Sequence, residues 1–141
     1  MWRAAGRAVR EHPWAGIGIG NFHQYVQREI AAGRSSPAIG RYNQPHNGYL
    51  DAAASVGAPG LLGLLATFLL PLGYFARGVR DADPAVHVPA CAGVAVIILY
   101  LLCALTESVF YRVMPLSFYF FVVLGMALLI GRRRSLALAA N

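Results

Sequence analysis

Three long stretches without a charged residue dominate the second half of the chain, at residues 58–76, 88–106 and 113–130. Each is long enough to cross a hydrocarbon core of ~30 Å at ~1.5 Å per helical residue. Helices are the expected form, because lipid offers no hydrogen-bond partners to an open backbone. The pattern therefore predicts an all-α integral membrane protein, with three transmembrane helices in a membrane domain over residues 58–141.

Residues 1–57 are polar and basic, and they are interpreted as a loop segment with short helices. Three arginines recur there at helical spacing: Arg3, Arg7 and Arg10. This spacing predicts a short amphipathic helix that ends near His12, before a proline. Asn21 is expected to cap a second helix. A further helix is expected to begin near His46 and to continue, kinked at Pro59, into the first span.

The composition agrees with a membrane protein, since 57% of the residues are hydrophobic and only 13% are charged. The formal net charge is +6, and all twelve residues of the lysine and arginine class are arginine. Arginine presents a planar fork that binds phosphate or carboxylate through two parallel hydrogen bonds. Half of the arginines flank membrane spans, so membrane lipids are expected partners and nucleic acid is not.

The short flanks of the spans predict the orientation of the chain. Five arginines follow the first and third spans: Arg77, Arg80, Arg132, Arg133 and Arg134. The 77–87 loop and the C-terminus are therefore expected to be cytoplasmic, with residues 1–57 and the 107–112 turn on the outer face. Six arginines would then cross the membrane without a visible signal peptide. The simplest expectation is that the chain is the C-terminal part of a longer polytopic protein.

His46 and Asn47 lie where the polar segment gives way to the first span, followed after nine residues by Gly57 and then by Gly60. On composition alone, a histidine before a membrane helix is more often structural or interfacial. The spacing closely resembles the signature of the O-antigen ligase family of bacterial membrane glycosyltransferases. A second segment, from Glu11 to Phe22 with the letters EHPWAGIGIGNF, is similar to the segment that precedes the histidine in that family.

The resemblance covers nearly the whole chain, but only the C-terminal portion of the family's polytopic fold. It implies transfer of a glycan from an undecaprenyl diphosphate carrier to an acceptor sugar, in the original case the lipid A core. It also implies a multi-pass protein of the bacterial inner membrane whose residues 1–57 and 107–112 turn are periplasmic. No metal and no cofactor are expected in this chemistry.

The implied reaction needs a base that takes the proton of the acceptor hydroxyl, and an imidazole, which titrates near ~6.5, suits that step. His46 is the candidate base. Asn47 is the second catalytic candidate, since it is able to orient the imidazole or to hydrogen-bond a sugar. The alternative for Asn47 is a helix N-cap.

Positive side chains are needed where the diphosphate leaves. The candidates are Arg41, which is five residues before His46, and then Arg3 and Arg7, with a solvated or lipid-facing arginine as the alternative for each. Tyr49 is a candidate for stacking on a sugar ring, although aromatic residues are common at membrane borders. Glu107 is expected either to pair with Arg112 or to bind an active-site arginine or a sugar hydroxyl.

Other functions remain open at this stage. A polymerase of lipid-linked repeat units and a protein O-glycosyltransferase would use the same donor chemistry with another acceptor. A membrane transporter component is an alternative of a different class, and a structural membrane subunit or a gene fragment is a third. The tripeptide Asp81-Ala82-Asp83 matches a metal-binding pattern of other glycosyltransferases, but a turn or a helix cap is the expected role.

Overall fold

The computed structural model describes residues 1–139, and these form six α-helices and one short 3₁₀ helix. In chain order they are α1 (Trp2–Glu11), α2 (Phe22–Ala31), the 3₁₀ helix (Pro37–Ile39), α3 (Gly48–Val56), α4 (Ala58–Ala76), α5 (Pro84–Cys103) and α6 (Val113–Ala139). No strand occurs among these residues, so the predicted all-α class is confirmed.

Helices α4, α5 and α6 are the three in residues 1–139 that are long and apolar enough to cross a membrane. Helix α4 has the predicted bounds, whereas α5 begins at Pro84 rather than at residue 88. The earlier start has a local cause, since Asp83 Oδ1 accepts a hydrogen bond from Ala85 N and proline is favoured in a first turn. Helix α6 continues past residue 130 through the arginines at 132–134, which are good helix formers.

The first of two compact units consists of Met1–Ala66 together with Cys103–Val109. Its core is small and lies between α1, α2 and α3, with the buried residues Ala4, Ala5, Ala8, Phe22, Tyr25, Val26 and Ala54. The alanines of α1 occupy one face of that helix, which lets its backbone approach its neighbours closely. The arginines of α1 lie outside this alanine face, as an amphipathic helix requires.

The second unit consists, within the described residues, of Thr67–Leu102 and residues 110–139. Four rings pack together in it, those of Phe68, Tyr100, Phe110 and Tyr119, with centroids 5.0–6.1 Å apart. Tyr119 satisfies its hydroxyl by donating to Thr67 O at 2.6 Å. Such pairing is what a polar tip needs inside an apolar span.

The Asp81-Ala82-Asp83 tripeptide belongs to the second unit and stabilises the turn before α5. Asp81 Oδ1 accepts from Asp83 N at 3.1 Å, and Asp83 pairs with Arg133 Nε at 2.5 Å. The hydrogen bond from Arg133 lowers the pKa of Asp83. Both carboxylates therefore have the turn and cap roles expected from the sequence.

The chain breaks between α3 and α4 at Gly57, which has φ 75° and ψ −158°. A single helix kinked at Pro59 was the expectation, and it is wrong, because this backbone conformation is almost restricted to glycine and ends α3. Gly60 then permits a close approach, since a Cβ added there would lie 2.5 Å from Val56 Cβ. The two glycines of the spacing motif thus set the angle at which α3 meets α4.

Glu29 is the most deeply buried carboxylate in the described part of the chain, with a side chain that is 1% exposed. Arg34 and Arg7 both bind it, Arg7 through Nε at 2.6 Å. Hydrogen bonding from Arg34, and then from Arg7, lowers the pKa of Glu29 although burial acts in the opposite direction. The ion pairs of Glu29 with Arg7 and Arg34 connect α1 to the end of α2 and to the turn that follows α2.

We expect this ion pair to make the stability of the first unit depend on pH. A carboxylate whose pKa is lowered in the folded state contributes its stability above its ordinary pKa of 4.5. That contribution is lost as the pH falls through the lowered value. Glu29→Gln should therefore lower the melting temperature in detergent at pH 7 and flatten its decline below about pH 4.5. A variant that declines as steeply as the wild type in acid would contradict this assignment.

Candidate functional site

The segment before α3 and the turn after α5 are joined by three polar contacts inside the first unit. His46 Nδ1 lies 3.0 Å from Glu107 Oε2, Asn47 Nδ2 donates to Leu105 O at 2.9 Å, and Gly48 N donates to Ala104 O at 2.8 Å. Three consecutive residues, 46–48, thus bind three of the four residues 104–107. The contacts fix the turn against the start of α3 and leave little freedom to either backbone.

His46 has φ 51°, the sole positive φ of a residue other than glycine in the described chain. This left-handed conformation is uncommon for residues with a Cβ, although histidine adopts it more often than most. It persists only where the surrounding contacts hold the backbone, and such positions are frequent at functional sites. Here the conformation directs the imidazole toward Glu107, and the side chain remains 35% exposed.

Glu107 determines which nitrogen of His46 is available for chemistry. An ionised carboxylate only accepts hydrogen bonds, so Nδ1 of His46 carries the proton between the two groups. Nε2 is then the basic nitrogen of the neutral ring, as in other histidine–carboxylate pairs. The sequence singled out both residues but offered Arg112 or an active-site arginine as the partner of Glu107. The contact between His46 and Glu107 was not predicted, because 61 positions separate the two residues in the sequence.

Asn47 has a structural role in this arrangement. Its Oδ1 accepts a hydrogen bond from Leu50 N at 2.9 Å, which makes it the N-cap of α3, and its amide group donates to Leu105 O. The side chain is buried, with 8% exposure. The N-cap alternative therefore describes its contacts, and Asn47 positions the backbone that carries His46.

Arg41 contacts Tyr42, and Tyr42 in turn contacts His46. Its guanidinium donates to the Tyr42 hydroxyl at 2.9 Å and lies 5.0 Å from the centroid of that ring. The Tyr42 ring in turn contacts the His46 ring edge to face, with centroids 5.8 Å apart. Arg41 is exposed, so most of its donors remain directed to solvent. The Tyr42 ring thus lies between the Arg41 guanidinium and the His46 imidazole and contacts both.

The other two candidate arginines differ from each other. Arg3 is exposed and follows Trp2, whose indole donates to Pro45 O at 3.1 Å, directly before His46. Arg7 instead binds Glu29, the Arg34 carbonyl and the Ser35 hydroxyl. The start of α1 is therefore brought to the His46 segment. The guanidinium of Arg7 is therefore engaged in hydrogen bonds within the protein.

Two further groups lie in the first turn of α3. Burial raises the pKa of the Tyr49 hydroxyl, which is half-buried and keeps its proton. Burial also raises the pKa of Asp51, against the effect of the hydrogen bond that Ser55 donates to it. Asp51 was not singled out from the sequence, where it is an ordinary acidic residue of a first helical turn. Burial in the folded unit raises its pKa, and no local sequence pattern reveals that burial.

The two sequence motifs meet at the far end of α3. Ile17 N donates to Ala54 O at 2.8 Å, Gly18 N donates to Ser55 O at 2.9 Å, and Ala58 N donates to Pro13 O at 2.7 Å. A Cβ on Gly57 would lie 2.5 Å from the carbonyl carbon of Trp14. The Glu11–Phe22 segment, called the strap below, thus crosses the α3–α4 junction. Both motifs support the same helix, which begins next to His46.

Among the described residues, no group of three or more histidine, cysteine or acidic side chains is arranged to hold a metal ion. The site offers one partly exposed imidazole, its carboxylate partner and the nearby arginine fork. This set is suited to proton transfer next to an anionic group.

Comparison with known proteins bears on residues 1–65, which match the family model described as O-antigen ligase. Comparison with curated proteins gave no match. The matched stretch contains both motifs and all the helices of the first unit up to the start of α4. The family is associated with membrane ligases and polymerases that transfer glycans, which agrees with the three apolar helices. Over residues 1–65 the chain is therefore similar to the O-antigen ligase family, and the resemblance predicted from its two motifs is confirmed.

Proposed function

We propose that this chain carries the acceptor-activating site of a glycosyltransferase that uses an undecaprenyl diphosphate-linked glycan as donor. The observation that supports the proposal most directly is the His46–Glu107 pair, formed at 3.0 Å by a histidine in a left-handed conformation. The site lies on the outer, periplasmic face of the inner membrane in this proposal. Two candidate spans separate the two residues along the chain, and an even number of crossings returns the chain to the same face.

The proposed reaction is a direct displacement at the anomeric carbon. The acceptor hydroxyl oxygen attacks that carbon, and the bond from the carbon to the diphosphate oxygen breaks with inversion. His46 Nε2 takes the hydroxyl proton, and Glu107 stabilises the imidazolium that forms. The diphosphate leaves with the bonding electron pair, so negative charge develops on its oxygens.

Arg41 is the proposed partner of that developing charge. Its fork is exposed beside Tyr42 and His46, and a bidentate guanidinium stabilises phosphate oxygens without a metal ion. Arg3 is the second choice, since the Trp2–Pro45 bond brings its helix to the same segment. Ligation and polymerisation both fit this scheme, because they differ in the acceptor and share the donor chemistry.

The carboxylate of Glu107 is expected to be a positioning group whose removal lowers turnover. Glu107→Gln should reduce kcat for glycan transfer about 10- to 100-fold and leave KM for the lipid-linked donor unchanged. The expected loss is smaller than the ~10⁴-fold effect of replacing the buried aspartate of a serine protease triad, because Glu107 is 59% exposed. The measurement is transfer from a lipid-linked glycan by the full protein, reconstituted in vesicles.

Glu107→Asp provides the matched control, because it keeps the charge one methylene away. It should recover most of the turnover that Glu107→Gln loses, while both variants melt at similar temperatures. Equal activity of the glutamine variant and the wild type would rule out the carboxylate as the orienting group.

A further inference from the structure

A polar cleft of about 230 Å³ lies in the first unit and is not used by the proposed reaction. It is lined by the start of the strap and one face of α2, with His12, Gly16, Ile17, Asn21, Gln24 and Arg28 among its residues. The strap binds the last turn of α3 through Ser55 O, whereas His46 precedes the first turn. Nine helical residues, or ~13 Å, separate the two ends. The cleft is therefore distinct from the His46 site.

The cleft has the donors that an anionic, oxygen-rich group requires. Arg28 is exposed and makes no ion pair within residues 1–139, so its fork is available. The one acidic residue of α1, Glu11, accepts a hydrogen bond from Tyr25 at 2.8 Å. Gln24 adds an amide group, Asn21 adds the part of its amide that does not donate to Ile17 O, and His12 adds an imidazole. This combination fits a phosphate better than a cation or an apolar ligand.

The strap that lines the cleft also presents large apolar side chains to the surroundings. Trp14 is 77% exposed and Ile19 is 84% exposed, and both lie on the short loop between α1 and α2. The loop is fixed at the start of the first candidate span, since Pro13 O accepts from Ala58 N. Tryptophan at that level is characteristic of the interface between headgroups and acyl chains. The two side chains are thus placed to insert into lipid next to the cleft.

From these two observations, we infer that the cleft binds the phosphate-bearing headgroup of a membrane lipid or glycolipid, while Trp14 and Ile19 insert beside its acyl chains. Arg28 is the principal phosphate ligand, and the amides of Asn21 and Gln24 contact the rest of the headgroup. The strap would then have two functions, one at the α3–α4 junction and one toward the bilayer. The inference does not depend on proton transfer by His46.

Lipid retention tests the headgroup part of this inference. The full chain is reconstituted in vesicles of phosphatidylcholine and phosphatidic acid, extracted in mild detergent, and examined by native mass spectrometry. The wild type should retain phosphatidic acid, and Arg28→Gln should retain at least about tenfold less, as expected for loss of a charge-assisted pair. Arg10→Gln is the matched control, since Arg10 is an exposed arginine of α1 that does not line the cleft.

Equal retention by Arg28→Gln and the wild type would overturn the site. Inorganic phosphate added in excess distinguishes the two sources of the same chemistry. If this phosphate displaces phosphatidic acid fully, the cleft binds phosphate alone and the lipid assignment is wrong. Glycan transfer is measured in neither arm, so failure here and failure of the His46 mechanism are separable.

Fluorescence quenching tests the contact with the bilayer. The chain has two tryptophans, so Trp2→Phe leaves Trp14 as the sole indole. Brominated lipids should quench Trp14 strongly when the bromines lie near the headgroups and weakly when they lie at the acyl ends. The converse variant, Trp14→Phe, reports Trp2 as the control. Absence of quenching of Trp14 at every depth would contradict insertion of the strap.

Discussion

Replacing His46 with alanine is expected to lower glycan transfer by about 10²- to 10⁴-fold, the range that a positioned general base contributes. The physical reason is that the acceptor hydroxyl then has no group to take its proton while it attacks. Donor binding should be nearly unchanged, because the arginine fork beside Tyr42 remains. The measurement is a single-turnover assay of the full protein with a lipid-linked glycan.

The left-handed backbone of His46 requires a second variant, because alanine is strained at φ 51°. Asparagine tolerates this conformation, so His46→Asn removes the base while it preserves the turn. Both variants should be equally inactive if the imidazole acts as the base. Recovery of activity in His46→Asn would show that the backbone conformation matters and the imidazole does not. His87→Ala, a histidine of the second unit, controls for general effects of losing an imidazole.

Gly57→Ala is expected to give the largest loss of stability. A side chain at φ 75° and ψ −158° costs ~1–3 kcal/mol in strain. The added Cβ would also lie 2.5 Å from the carbonyl carbon of Trp14, and relieving such an overlap costs a further ~1–3 kcal/mol. The strap would have to move away from the α3–α4 junction. We expect a clear fall in melting temperature, measured in detergent by intrinsic fluorescence.

Gly63→Ala is the matched control, because it lies in the same helix α4 and an added Cβ there would meet nothing within 4 Å. It should melt at or slightly above the wild-type temperature, since alanine favours the helix by ~1 kcal/mol over glycine. Similar melting temperatures for the two variants would mean that the junction does not need glycine at position 57.

Hydropathy was sufficient to predict the membrane helices, because each must satisfy its own backbone in lipid and therefore leaves a long uncharged stretch. Helix ends were less predictable. The start of α5 depends on Asp83 as a cap and the end of α3 on Gly57, and both are local signals that an apolar run obscures. The motif spacing predicted the importance of Gly57 without its reason, which is a contact with a strap about forty residues earlier in the chain.

The candidate site was predictable in its residue types and less so in its pairs. Histidine and arginine before a span indicate proton transfer and phosphate binding from their chemistry alone. Which carboxylate serves which cation depends on tertiary contacts, as Glu107 with His46 and Glu29 with Arg7 show. Arg7 and Arg41 look equivalent in the sequence, yet one is held by a buried glutamate and the other faces solvent.

The His46–Glu107 contact has a consequence for biogenesis. The histidine is synthesised before the α4–α5 hairpin, and its carboxylate partner is synthesised after it. Under the proposed function, the imidazole would therefore acquire its orientation only when both helices had entered the bilayer and the turn after α5 had emerged on the same side. A nascent or half-inserted chain would hold an unoriented base, so competence for transfer would report completed insertion of the hairpin.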